Sequence, residues 1–211
     1  MIVAIDGPAG AGKSTVARRL AERLGFRYLD TGAMYRALTW LAMQRGLPLY
    51  EGEPLGQLAE SSPVTFDEQG RVFIAGTDVT AAIRRSSVDR QVSVVARHPK
   101  VREVMRRRQR ELGDEGDVVI EGRDIGTVVA PHAPVKVYLS ADRAVRAQRR
   151  QAERPDIGAD ALATDLRVRD QKDAERMQPA VDAHRIDTTH LEVDDVVGQI
   201  EELVRRARQP A

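Results

Sequence analysis

An α/β fold with a five-stranded parallel core sheet is what this chain predicts, and three observations carry the prediction. An apolar run at Ile2-Val3-Ala4-Ile5 and strand-like segments at Asp117-Val118-Val119-Ile120 and Pro134 to Leu139 have strand length and alternate with longer segments of helical spacing. The first two deliver glycines and charged residues at their carboxyl ends, where ligands bind in open parallel sheets. From Pro63 to about Arg84 the rhythm changes to Val64-Thr65-Phe66, a polar turn at Asp67-Glu68-Gln69-Gly70, then Arg71 to Ala75 and Gly76 to Thr80. That pattern is a small antiparallel meander inserted into the α/β chain.

The first strand runs into Gly7-Pro8-Ala9-Gly10-Ala11-Gly12-Lys13-Ser14-Thr15, and Val16 to Leu24 follows with helical spacing. Strand, glycine turn and helix are the context that confirms a P-loop, so the expected class is a three-layer P-loop NTPase fold. Wrapping a polyphosphate requires a turn that points several N–H groups inward, and Gly7, Gly10 and Gly12 reach such dihedrals without a Cβ clash. The helix start adds its positive dipole end, Lys13 reaches toward the terminal phosphates, and the Ser14 hydroxyl is offered to Mg²⁺. Residues 7–15 are therefore assigned to nucleotide binding.

Composition narrows the class. The net charge of +1 argues against a nucleic-acid binder working through bulk electrostatics. Lysine occurs only at positions 13, 100, 136 and 172, so arginine supplies most of the 33 basic residues; its planar fork suits phosphate, although genome composition accounts for much of that bias. No cysteine is present, which excludes disulfides and thiolate metal sites and makes a cytoplasmic location the expectation. The start of the chain enters the first strand directly, so no signal peptide is expected, and no apolar run reaches membrane-spanning length. Absence of asparagine removes the Asn-Lys-x-Asp guanine-reading motif and disfavours a switch GTPase.

In order along the chain, Gly25 is the expected C-cap of the first helix and Phe26 to Leu29 a second strand. Asp30-Thr31-Gly32-Ala33-Met34-Tyr35-Arg36 then turns into a helix at the strand carboxyl end, where Thr31 and Arg36 can face a second anion; an N-cap for Thr31 and a solvated face for Arg36 are the plainer readings. Helical spacing resumes from Val88 to Leu112 with a break at His98-Pro99, near Ser93 and Arg102. The run Arg106-Arg107-Arg108-Gln109-Arg110 reads as the solvated face of that helix. Glu121-Gly122-Arg123-Asp124 stands at a strand end on the P-loop edge and is read as functional. Ser140 is the expected N-cap of a helix through Ala152, and the basic segment of about 146–160 fits a lid and a surface hairpin equally. Arg169, Asp173 and Arg176 share one helix face, where salt bridges alone would explain them. Arg185 to Thr189 closes the sheet and Val193 to Ala207 forms the last helix.

Arginines converging from separate segments on a P-loop suggest phosphoryl transfer, in which the protein positions and neutralises more than it moves protons. The chain resembles bacterial cytidylate kinases (CMP/dCMP kinases) over nearly its whole length. The resemblance rests on residues 5–14, 30–36, Val92-Ser93 through Pro99-Lys100-Val101-Arg102, 121–129, and Arg169-Asp170 with Asp173 and Arg176. It implies one kinase domain over residues 1–211, with a core of 1–62 and 85–211, the meander of about 63–84 as a nucleoside-monophosphate-binding subdomain, and the helical lid. It implies that Arg36, Arg123 and Arg176 hold the CMP phosphate, and that Lys13, Arg123 and Arg169 stabilise the transferring charge. By the same resemblance Ser93, Arg102 and Asp124 read the cytosine edge, Asp173 meets the sugar and Thr31 lies on the substrate side. A carboxylate at 124 suits cytosine because it accepts from the exocyclic amine that uracil lacks.

The implied reaction converts ATP and CMP or dCMP to ADP and CDP or dCDP in pyrimidine metabolism, with Mg²⁺ bridging the donor phosphates. The expected partners are those small molecules, with neither nucleic acid nor membrane, and the resemblance leans toward a monomer. The chain departs from the family at Val129-Ala130-Pro131-His132, where an aromatic and an acid are usual, and in a shorter stretch from Arg176 to Ile186. Two other readings compete: a P-loop kinase for another acceptor such as UMP or shikimate, and a non-catalytic nucleotide-dependent binding protein acting through Arg102 to Arg110.

Overall fold

The computed structural model describes residues 1–153, 158–174 and 177–209. Its elements in chain order begin with β1 (Ile2–Asp6), α1 (Lys13–Leu24), β2 (Arg27–Asp30), α2 (Thr31–Gln44), α3 (Gly52–Ser61), β3 (Val64–Phe66), β4 (Val72–Ile74) and β5 (Thr77–Asp78). They continue with α4 (Ser86–Val95), α5 (Pro99–Gly113), β6 (Val118–Gly122), β7 (Val135–Ser140), α6 (Arg143–Glu153), α7 (Ala159–Asp173), β8 (His184–Asp187) and α8 (Val193–Arg208). Tertiary contacts divide the chain into two compact units, one of Met1–Leu29 with Gly113–Ala211 and one of Asp30–Leu112.

The first unit carries the predicted five-stranded sheet, in the order β2-β6-β1-β7-β8. β1 is its central strand, paired in parallel with β6 and β7. A strand covered on both faces by helices must be apolar throughout, and Val3, Ala4 and Ile5 are each fully buried. Val16, Ala17 and Leu20 of α1 and Val196, Val197 and Ile200 of α8 pack with those strands into one core. α1 ends as expected at Gly25, whose left-handed φ of 65° lets its N–H reach the carbonyls of Ala21 and Glu22. The parallel register sets Asp6 beside Gly122 on one side and Tyr138 on the other, so the chemistry-bearing ends of three strands meet at one sheet edge.

Ser140 does not cap a helix. β7 runs through it, and the Asp142 carboxylate accepts from the Ala144 N–H at 2.7 Å at the start of α6. A carboxylate one residue before the helix meets its unpaired amides better than a hydroxyl on a residue whose backbone is still in the sheet, three positions before the helix.

The second unit contains the expected antiparallel meander, β3-β4-β5. Its first turn is held by Asp67, whose carboxylate accepts from the amides of Gln69 and Arg71 and from Arg71 Nε. α2 is capped by Asp30, which accepts from the Ala33 N–H at 2.8 Å, and Thr31 is the first helical residue rather than the cap. α3 was not anticipated, because Gly52, Pro54 and Gly56 mask its helical spacing; Leu55, Leu58 and Ala59 form its buried face. The predicted break lies between α4 and α5, with Pro99 at the first position of α5 where its missing N–H costs nothing. Arg107 pairs with Glu60 and Glu111, and Arg108 with Glu111, as a solvated basic face would, but Gln109 of the same run is only 2% exposed and does not belong to that face. Among the described residues no helix is long and apolar enough to cross a membrane.

Candidate active site

Residues 7–12 form the expected tight turn between β1 and α1, with Gly7, Gly10 and Gly12 at φ of 147°, 79° and 86°. Gly7 is required twice over: a Cβ there would lie 2.1 Å from the Leu139 carbonyl oxygen, so the loop also needs a bare residue to pack on β7. The loop is braced from outside by two donors. Arg146 Nη1 of α6 donates to the Ala9 carbonyl at 3.1 Å, and the Thr188 hydroxyl lies 3.2 Å from the Ala11 carbonyl. The same Arg146 forks onto Asp170 of α7 at 3.1 and 2.8 Å and is almost wholly buried. It therefore serves as a strut beneath the loop; the remainder of the expected lid includes residues 154–157, which lie outside the described residues.

Lys13 is buried, and its ammonium donates to the Pro8 carbonyl at 2.8 Å. Burial pulls it well below the usual lysine range; nearby Arg123 and Arg169 push the same way, while Glu121 and Asp6 oppose them. The cations the sequence assigned to the transferring phosphoryl, Lys13, Arg123 and Arg169, thus share one electrostatic neighbourhood in the first unit. Without a polyanion between them each raises the cost of the others' charge, and a polyphosphate would reverse that sign.

Ser14 Oγ donates to Glu121 Oε2 at 3.0 Å, and the Tyr28 hydroxyl makes a short hydrogen bond to Glu121 Oε1. Glu121 is buried at the end of β6, beside Ile5 in the sheet. Serine hydroxyl and carboxylate are hard oxygen donors of the kind Mg²⁺ accepts, and Mg²⁺ typically takes one or two protein oxygens and leaves the rest to phosphates and water. The pair fits that ion. Tyr28 did not stand out in the sequence, and Glu121 did only as part of the strand-end motif, because the strand register that joins positions 14, 28 and 121 is not a local pattern.

Arg123 leaves β6 and turns back over the loop. Its Nη1 donates to the Gly7 carbonyl at 3.0 Å and its Nε to Asp173 at 3.4 Å, so Asp173 of α7 meets this arginine. Arg169 is on the same helix, and Arg176 lies outside the described residues. Asp124 opens a single π-helical turn, Ile125–Val129. Beneath that turn is Asp6, 6% exposed, accepting from the Ile125 and Gly126 amides at 2.9 and 2.8 Å.

Thr31, Arg36, Ser93 and Arg102 belong to the second unit. Arg36 folds over Gly32, where a Cβ would approach its Nη1 to 2.8 Å, and its Nε donates to Asp89 of α4 at 3.1 Å. Asp30, beside it, also pairs with Arg84 at 3.0 Å; burial pushes the Asp30 carboxyl up, but Arg36, Arg84 and the Ala33 amide outweigh it and hold the group below the usual carboxylate range. Thr31 is buried in the first turn of α2. Ser93 and Arg102 are buried on α4 and α5, and Arg102 Nη1 lies 3.4 Å from the Ala96 carbonyl at the break between them.

The comparisons with known proteins agree with this architecture. The family model for cytidylate kinase matches residues 3–206. A cytidylate kinase of Shouchella clausii (strain KSM-K16) is 47% identical over 214 residues, covering 96% of this chain and 95% of that protein. One of Bacillus subtilis (strain 168) is 44% identical over 215 residues, covering 97% and 96%. A bifunctional pantoate ligase/cytidylate kinase of Synechococcus sp. (strain JA-3-3Ab) is 48% identical over 219 residues; they cover 97% of this chain but only 41% of that longer protein. Among solved structures, shikimate kinase from Bacteroides thetaiotaomicron superposes with a TM-score of 0.53 at 16% identity, covering 97% of this chain and 98% of that one, which is a likeness of fold alone. A family model matched across almost the entire sequence, joined to near-full-length relatives on a P-loop sheet, means that this chain belongs to the cytidylate kinase family.

Proposed function

We propose that the protein transfers the γ-phosphoryl group of ATP to CMP or dCMP, giving ADP and CDP or dCDP. The observation that carries this reading is the grouping of Lys13, Arg123 and Arg169 about the P-loop, with Asp124 one residue beyond Arg123. In the reaction a phosphate oxygen of the acceptor forms the new P–O bond while the bond from the γ-phosphorus to the bridging oxygen breaks. A phosphate monoester is mostly dianionic at pH 7, with a second pKa of about 6, so its attacking oxygen needs no general base. What the transfer needs is fixed positive charge where the moving group's oxygens pass, and buried cations supply it without reorganisation.

In this reading residues 7–15 bind the donor, Lys13 and Arg169 neutralise the transferring group, and Arg36, Arg123 and Arg176 hold the acceptor phosphate. Asp124, Ser93 and Arg102 read the cytosine edge, and Asp173 and Thr31 complete the acceptor contacts. Mg²⁺, when bound, neutralises charge on the donor phosphates, and Ser14 with Glu121 would hold it. The protein acts on small nucleotides as a monomer in the cytoplasm, with no nucleic acid or membrane partner. A coupled ADP-release assay with ATP, Mg²⁺ and CMP, dCMP, UMP or AMP tests the reading. Rapid turnover with CMP and dCMP and slow turnover with UMP is expected, whereas equal rates would discard the cytosine readout and no turnover the enzyme itself.

A further inference from the structure

We propose that Asp6 is a positioning residue for the acceptor side of the reaction: its carboxylate, at the end of β1, grips the backbone amides of Ile125 and Gly126 and so fixes the turn on which Arg123 and Asp124 stand. The inference rests on the reading that Asp124 recognises cytosine.

Asp6 immediately precedes the P-loop, yet its two hydrogen bonds reach amides 119 and 120 residues away, at 2.9 and 2.8 Å. It spends both carboxylate oxygens on them. The turn they hold is a π-helical one, in which the backbone is wider than in an α-helix and the leading amides lack ordinary partners. A buried carboxylate that accepts from two successive amides fixes both position and direction of that backbone. Arg123 closes the arrangement from the other side by donating to the Gly7 carbonyl at 3.0 Å. Residues 6 and 7 thus hold residues 123, 125 and 126, and Asp124 is clamped between its neighbours on both sides.

The cost of this arrangement argues that the carboxylate is there for its geometry. Burial pushes the Asp6 carboxyl up to about 6, Asp124 adds to the rise, and the two amides and Lys13 only partly oppose it. A neutral or apolar residue would avoid that penalty. Gly126 lies close against the same carboxylate, since a Cβ there would stand 3.5 Å from Asp6 Oδ2 and would press on Lys136 Cδ at 3.3 Å.

The experiment measures kcat and KM for CMP and for UMP, together with MgATP affinity by calorimetry, in wild type, Asp6→Asn, Gly126→Ala, Asp124→Asn and the double variant Asp6→Asn/Asp124→Asn. The Asp6→Asn change keeps the shape of the side chain but turns a donor toward one of the two amides. The CMP-to-UMP ratio of kcat/KM is expected to fall about tenfold or more in Asp6→Asn and in Gly126→Ala, as loss of a charge-assisted hydrogen bond implies, while MgATP affinity changes less than about threefold. The double variant is expected to match Asp124→Asn in that ratio, because Asp6 acts through residue 124. Amide exchange at Ile125 and Gly126, followed by NMR, is expected to accelerate in Asp6→Asn. If Asp124→Asn lowers the ratio while Asp6→Asn and Gly126→Ala keep it, the positioning role is overturned and the reading of Asp124 stands. If MgATP affinity falls as far as CMP affinity, Asp6 merely supports the P-loop. If Asp124→Asn keeps the ratio, the cytosine reading fails; unchanged amide exchange in Asp6→Asn then overturns the clamp as well, and accelerated exchange with a raised KM for CMP sustains it through Arg123.

Discussion

Replacing Asp6 with asparagine should change how stability depends on pH, and the size of the change follows from the environment of that carboxyl. Asp6 rises from an ordinary 3.8 to about 6, chiefly because burial disfavours its charge. The unfolded chain releases this proton near 3.8 and the folded chain only near 6, so between those values the folded state binds more protons. Stability must therefore fall as pH rises through that window, and above pH 6 the ionised group carries the full cost. About two pKa units at roughly 1.4 kcal/mol each give about 3 kcal/mol. The side-chain amide that Asp6→Asn introduces cannot ionise, and it faces one backbone N–H with another donor, a penalty of about 1–3 kcal/mol that does not vary with pH. Asp6→Asn should accordingly be the less stable protein at pH 4 and draw level with wild type near pH 7.5. Urea unfolding followed by far-UV circular dichroism from pH 4 to 7.5 measures both. Carboxyls held low by partners, among them Asp30, Asp117 and Asp187, lose stability as pH falls, but they do so in both proteins and cancel in the difference. A difference that stays flat within about 1 kcal/mol, or slopes the other way, would refute the claim that burial governs this group.

Tyr28→Phe removes a donor from the buried Glu121 carboxylate; MgATP binding should weaken about tenfold while metal-free ATP binding changes little, as calorimetry with and without Mg²⁺ would register. Arg146→Met leaves Asp170 and the Ala9 carbonyl without their shared partner. Uncoupling such a pair costs about 3–5 kcal/mol, so Tm should drop by roughly 10 °C in a thermal scan, and a drop under about 2 °C would contradict the strut. Two glycines with positive φ should respond differently to alanine. Gly25→Ala meets nothing within 4 Å and should lose about 1–2 kcal/mol, whereas Gly7→Ala drives a Cβ into the Leu139 carbonyl and should yield no stably folded protein in an expression and unfolding test.

The sheet and the meander were legible in the sequence because each depends on local periodicity. β1 and β6 open with three or four consecutive apolar residues and β7 alternates valine and leucine with Lys136 and Tyr138, patterns of strand length; β3 and β4 are bracketed by turn residues. The P-loop was legible because phosphate wrapping demands glycine and lysine at fixed spacing. Errors arose where two local solutions compete. Ser140 and Asp142 both suit a helix start, and only the extent of β7 decides between them. Asp30 takes the cap that Thr31 would equally have filled, since β2 ends one residue before the helix begins. Tyr28 and Asp89 were silent, and the contacts of Asp6, Glu121 and Arg146 hidden, for a different reason. Each is an ordinary charged or polar residue whose partner lies 53 to 137 positions away, and only the strand register and helix packing reveal it.

These distant partners show how the first unit tolerates a buried lysine beside two half-buried arginines. Lys13, Arg123 and Arg169 repel one another, and burial already disfavours the Lys13 charge. Flexible side chains would relieve that strain by swinging apart into water. Here Lys13 is tied to the Pro8 carbonyl, Arg123 to the Gly7 carbonyl and to Asp173, and the loop itself to Arg146 and Thr188. The Pro8 and Gly7 carbonyls hold Lys13 and Arg123 in place without cancelling their charge, while Asp173, 3.4 Å from Arg123 Nε, offsets part of that arginine's charge. Two further acids, Asp6 and Glu121, have their oxygens engaged by backbone amides and hydroxyls, and both still favour the Lys13 charge. On the proposed reading, the positive potential that remains is available to a polyanion, whose arrival would reverse the mutual cost of these charges.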